Sequence, residues 1–228
     1  MPGLSGIISL DQLGSHLETA LELLHHTQHL NSVGTAVNAN LFVGETLPQP
    51  SRPTWHFDIE RQVGVMHAGT ILSDHPFPHE VDSHELLDTY SDQGADGWTN
   101  YDGGYVIVLF DNRKHHLTIC NDRLGVLPVV WTHNGRSFAF APEAKVLFQF
   151  CPDMPIQLDR QSIISFLNAG YPIGARTMFS GVSQLEPATV LTVNTEDLSV
   201  ERSDTGTWST NLIPVKLASK RRPFCMMP

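Results

Sequence analysis

Residues 104–111 read Gly-Tyr-Val-Ile-Val-Leu-Phe-Asp, a near-continuous apolar run closed by the turn Asn112-Arg113-Lys114-His115. Six apolar side chains in a row between turn residues are too few for a stable helix and suit a β-strand. The chain returns as a second strand over 116–121, and 126–131 gives another. His133-Asn134-Gly135-Arg136 is a hairpin signal that brings 137–141 back. Further strands are predicted over 6–10, 35–43, 63–69 and 190–194, and a Pro-rich loop over 46–54. Leu13, Leu17, Ala20, Leu21 and Leu24 recur at helical spacing, with Ser15 at the N-cap, and predict an amphipathic helix reaching about His29. A second helix starts near Asp82 or Ser83 and stops at Gly94. A third runs from Pro142 through Phe148, and a fourth from Arg160 to Leu167 behind Asp159. Many strands interleaved with a few helices suggest a layered α+β domain with largely antiparallel sheets.

The 228 residues suit one domain and a tail. Lys and Arg total 14 against 24 acids, a formal charge of −10 that argues against nucleic acid or an anionic membrane as partner. No apolar run is long enough for a membrane span, and MPGLSGIISLDQ lacks the basic start of a secretory signal. Three cysteines, Cys120, Cys151 and Cys225, without a CxxC, argue for a reducing cytoplasm. Residues 206–228 differ from the rest: Lys216, Lys220, Arg221 and Arg222 stand there without an acid. This basic tail reads equally well as an interaction arm and as a truncated or out-of-frame end. Self-association is left open.

His25, His26 and His29 have i, i+3 and i, i+4 spacing, but no third ligand is adjacent, and a solvated helix end is the better reading. Asp74, His75, His79, Asp82 and His84 form a denser cluster whose spacing matches no metal motif. No metal site is therefore assigned. Asp122-Arg123 at a Gly-containing turn reads as a charge-assisted tie at a sheet corner. No phosphate-binding glycine loop, HExxH or GxSxG occurs.

The run GYVIVLFDNRKHHLTICNDRLGVLPVVW followed by FAFAPEAKVL resembles the N-terminal glutaminase domain of the asparagine synthetase (glutamine-hydrolysing) family. Asp111, Asp122, Arg123, Gly125, Pro128, Phe140, Ala141, Glu143, Lys145 and Leu147 stand where that family's pattern asks. GYPIGARTMFSGVSQLEPATVLTV, VDSHELLDTY and MPGLSGIISLD are similar to further family segments, in the same order along the chain. The resemblance implies a class II glutamine amidotransferase domain over 1–205, followed by the tail. It also implies the N-terminal-nucleophile (Ntn) hydrolase fold: a four-layer αββα sandwich of two antiparallel sheets flanked by helices.

What the resemblance implies for the site departs from the family at nearly every position. The nucleophilic cysteine falls on Pro2, which has neither thiol nor hydroxyl, so no catalytic residue is assigned. The oxyanion Asn-Gly pair falls on Ala68 and Gly69. The arginine that holds the substrate carboxylate is absent from 38–43. Asp82 remains at the ammonium position, where it also suits a helix N-cap. The expectation is a degenerate amidotransferase-like domain that does not hydrolyse glutamine and lacks the ATP-dependent synthetase half. One alternative is half of a split or frameshifted asparagine synthase working with a separately encoded synthetase domain. Another is a non-catalytic amino-acid-binding module using Asp82. No cofactor is expected in this chain, with ATP and Mg only where a synthetase domain supplies them.

Overall fold

The computed structural model describes residues 2–11, 13–14, 17–73 and 77–204. Six strands form one sheet in the order β11 (Ser183–Gln184), β9 (Val130–His133), β10 (Ser137–Ala141), β1 (Gly3–Ser9), β3 (Leu41–Pro48) and β2 (Leu30–Ala36). The second sheet runs β13 (Val200–Asp204), β12 (Thr189–Asn194), β8 (His116–Asn121), β7 (Asp102–Asp111), β5 (Val63–Ser73) and β4 (His56–Asp58), with the short β6 (His79–Glu80) also paired to β5. Every strand pair is antiparallel. The helices are α1 (Leu17–Glu22), α2 (Ser83–Gln93), α3 (Ala144–Phe150) and α4 (Arg160–Ala169), with a 3-10 turn over Gly94–Asn100.

The apolar run of β7 explains the layering. Val106, Val108 and Phe110 point into the core between the sheets, beside Leu4, Ile8, Phe138 and Phe140 of the opposite sheet. Tyr105, Ile107 and Leu109 point the other way, into a core shared with Leu86 and Leu87 of α2 and with Trp98. Alternate side chains of a strand face opposite sides, so a run apolar at every position must be covered on both. On the other sheet Ile7, Ala139 and Ala141 turn outward to meet Leu17 and Leu21 of α1 and Val146 and Phe150 of α3. The result is the helix–sheet–sheet–helix order of an Ntn-type α+β sandwich. Each buried large apolar side chain contributes ~1.5–3 kcal/mol relative to exposure, so β7 ties two of the three cores together.

Local chemistry sets several boundaries away from the expected ones. α1 ends at Glu22, well short of His29. After Leu24 the sequence His-His-Thr-Gln-His offers no apolar side chain to bury, and β2 begins at Leu30. The strand expected over 35–43 is instead a hairpin of β2 and β3, because the Asn38 carboxamide accepts the backbone N–H of Asn40 and Leu41 and turns the chain. β9 begins at Val130 rather than 126, after Pro128, which has no N–H for a ladder. α3 begins at Ala144, and Pro142 packs over Gly3, where an added Cβ would lie 2.6 Å from its ring. Asp122 and Arg123 do not pair with each other. Asp122 is buried and accepts the N–H groups of Tyr105, Leu124 and Val126, while Arg123 bonds Asp102 and the Thr99 carbonyl. Ser15, Asp74, His75, Cys225 and the tail 206–228 lie outside the described residues.

Candidate functional site

β1 and β5, on facing sheets, meet across the central core. β1 lies inside its sheet, bonded to β10 and β3, and packs against β5 and β7 of the other sheet. Leu4 and Ile8 face the inter-sheet core, while Pro2 stands exposed just before the strand, ahead of Gly3 at φ +152°. Across the gap, Ala68 of β5 lines the same core. Gly69 follows with φ +88°, and a Cβ there would meet the Gly104 carbonyl oxygen at 2.1 Å, so the close approach of β5 and β7 requires glycine.

Asp82 is positioned through β6. The Val81 N–H bonds the Ile71 carbonyl at 2.9 Å, which sets the start of α2 beside β5. The Asp82 Oδ1 accepts the N–H of His84 at 2.9 Å and of Glu85 at 3.0 Å, capping the helix. The Glu85 N–H bond is the main cause holding its carboxyl below the usual carboxylate range.

Three further residues meet here that the sequence reading did not single out. Glu45 on β3 follows Leu41 and Val43 on the inter-sheet face and is only 2% exposed. Its Oε1 accepts the N–H of Thr54 at 2.9 Å and of Trp55 at 3.2 Å. Its Oε2 faces the Thr54 hydroxyl at 2.9 Å. That hydroxyl also accepts the His67 N–H at 3.0 Å and lies 2.8 Å from the His67 carbonyl, while the Ser83 hydroxyl donates to the Thr54 carbonyl. Thr54 thus joins β3, β5 and α2. Among the described residues Glu45 makes no ion pair, and its hydrogen-bond donors are the backbone N–H groups of Thr54 and Trp55 and the Thr54 hydroxyl. The His67 Nδ1 is buried without a hydrogen-bond partner, and burial pushes the imidazole pKa down against the opposing influence of Glu80 and Asp82. Nothing in the local sequence marks these residues: Glu45 is one polar position in a strand, and its partners come from elsewhere in the chain.

The cysteines stand apart from this constellation. Cys120 belongs to the core beneath α2, and burial pushes its thiol up to about 12. Cys151 is raised to about 11 by the same cause. Both are therefore protonated at neutral pH and poor nucleophiles. His25 bonds the Ser32 hydroxyl at 2.8 Å, whereas His26 bonds Glu143 at 2.6 Å, so neighbouring imidazoles serve different partners. His79 pairs with Glu85, and His84 lies against His56 with ring centroids 4.1 Å apart.

A family profile described as a glutamine amidotransferase domain matches residues 67–203, more than half of the chain. Asparagine synthetase [glutamine-hydrolyzing] 3 of Bacillus subtilis is 29% identical over 129 residues, which cover 56% of this chain and 21% of that protein. Among solved structures, glutamine phosphoribosylpyrophosphate amidotransferase from B. subtilis, complexed with ADP and GMP, superposes with a TM-score of 0.57 at 12% identity. That match covers 90% of this chain and 49% of the other. A structure described as the allosteric regulatory enzyme of purine biosynthesis gives 0.51 at 12% identity with the same coverage. At that identity the two structures share the fold alone. The chain thus spans about a fifth of the curated relative's length and about half that of the solved structures.

Proposed function

The chain belongs to the glutamine amidotransferase domain family, and from that premise we propose that it is a degenerate member, unable to hydrolyse glutamine. The observation that carries this reading is Pro2 at the head of β1, where the family resemblance puts the nucleophile. Forming an acyl-enzyme needs a thiol or hydroxyl to attack the amide carbon, and a pyrrolidine ring supplies neither. Neither described cysteine substitutes for it, since both are buried away from the site with raised pKa values.

The neighbouring residues support the same conclusion. Ala68 offers no side-chain amide to a tetrahedral oxyanion, and loss of one such donor costs ~10²–10³ in rate. Glu45 adds a buried carboxylate opposite Leu4 of β1, and it makes no ion pair with a cation among the described residues. Asp82 keeps its position but spends Oδ1 on the start of α2. The scaffold survives while the chemistry does not.

The test is release of glutamate from glutamine by the purified full chain, compared with buffer and with the Pro2→Ala variant. The expected rate is that of buffer. Turnover above it that Pro2→Ala leaves intact would show that another residue is the nucleophile and overturn the reading.

The similarity to asparagine synthetase favours a second, compatible role, as support for an ATP-using synthetase domain. ATP and Mg²⁺ would then belong to that partner. Co-expression with such a domain and measurement of ammonia-dependent amide formation, with and without this chain, tests it; equal rates would remove this role.

A further inference from the structure

We propose that α4 and its flanking segments form a self-association surface through which two copies of this chain pair about a two-fold axis.

Of the fifteen exposed large apolar side chains among the described residues, seven lie between residues 156 and 173. α4 is the centre of this strip. Of its ten residues only Ser162 is buried. Ile164 and Leu167, three apart, share a helix face turned to solvent, Phe166 is exposed beside Leu167, and Tyr171 and Ile173 follow past the Gly170 cap. Exposed apolar residues scattered singly need no explanation, but a concentration of this kind marks an interaction surface.

The size and charge of the strip fit a second copy. The seven side chains are 46–77% exposed. At roughly 200 Å² for a fully exposed large side chain they present roughly 800 Å², which is what one partner contributes to a standard interface. Residues 1–204 carry ten of the fourteen cations and all twenty-four acids, so most of the surface repels another copy. The strip is an exception: over 153–176 the charges are Asp153, Asp159, Arg160 and Arg176, two of each sign. Asp159 and Arg176 pair with each other at 3.1 Å. Asp153 and Arg160 make no ion pair among the described residues, leaving one unpaired charge of each sign at the border. A two-fold interface sets a surface against itself, so it requires this kind of self-complementarity.

Sedimentation equilibrium of the full chain, from micromolar to near-millimolar concentration, tests the proposal. The expected result is a mass that rises from one chain to two with increasing concentration. Leu167→Glu, at an exposed position, should weaken the dimer about tenfold or more with an unchanged circular dichroism spectrum. Ile59→Glu, equally exposed but in the turn between β4 and β5, outside residues 156–173, should leave the dimer as it is. A chain that stays monomeric throughout overturns the proposal, whether its own residues 205–228 or another protein covers the strip. A dimer that Leu167→Glu leaves unshifted overturns it as well.

Discussion

Replacing Thr54 by valine isolates the hydroxyl that joins β3 to β5. Valine has nearly the same shape, so no cavity opens and no backbone torsion changes. What disappears is an oxygen that accepts the His67 N–H at 3.0 Å and gives its single proton to Glu45 Oε2 at 2.9 Å or to the His67 carbonyl at 2.8 Å. The partners stay behind in a buried setting. A neutral hydrogen bond lost this way costs ~1–3 kcal/mol, and one to a carboxylate falls at the upper end. Two such losses with partial relaxation predict about 2–4 kcal/mol. For a domain of this size that lowers Tm by roughly 5–15 °C. Thr54→Ser keeps the hydroxyl and should lose only about 1 kcal/mol, for its methyl group. Calorimetry or denaturant unfolding of the two variants reads the difference. If valine and serine agree within about 0.5 kcal/mol, the hydroxyl is not what holds the elements together, and the account of Glu45 falls with it. A double-mutant cycle with Glu45→Gln should show coupling, since the two groups share the bond.

Two other predictions concern pH. Asp82→Ala should cost about 1 kcal/mol at neutral pH as a lost helix cap. Its folded-state pKa is depressed, so this contribution is present above the unfolded value of 3.8 and disappears as pH falls through the folded one. Unfolding curves of wild type and variant should therefore converge in acid; a gap that persists there would assign the cost to something other than the carboxylate. His67 has the opposite chemistry: burial lowers its pKa below 6.5, so the unfolded chain binds the extra proton as pH drops from that value. Stability should fall below pH 6.5 with a slope of at most ~1.4 kcal/mol per pH unit from this group. His67→Gln should flatten that part of the profile, and an unaltered slope would place the acid sensitivity elsewhere.

What could be read from the sequence depended on how local its cause was. α2 was legible because its cap Asp82, its apolar Leu86 and Leu87 and its stop at Gly94 all lie within one short stretch. The unbroken run of β7 was equally plain. β13 was not, since Glu201, Arg202, Ser203 and Asp204 carry no apolar alternation and form a strand only by pairing with β12. The turn at Asn38 hid inside an alternating pattern that continues on either side of it. At the candidate site, Pro2, Ala68, Gly69 and Asp82 could be picked out only by laying the chain against the pattern of a known family. Glu45, Thr54 and His67 escaped because their relationship exists only after β3, the loop before β4, and β5 have come together. No spacing in the chain records it.

The central place of β1 has a consequence for how the molecule comes into being. Gly6 pairs with Val43 on one side and with Phe140 on the other. The first neighbour is available early in synthesis, while the second emerges only after a further hundred or so residues have been added. At ~5–20 residues per second on the ribosome, an apolar strand spends several seconds with one ladder edge open. Nascent chains of this domain should therefore depend on chaperones until β10 leaves the exit tunnel, and should mature in one late, slow step governed by long-range pairing.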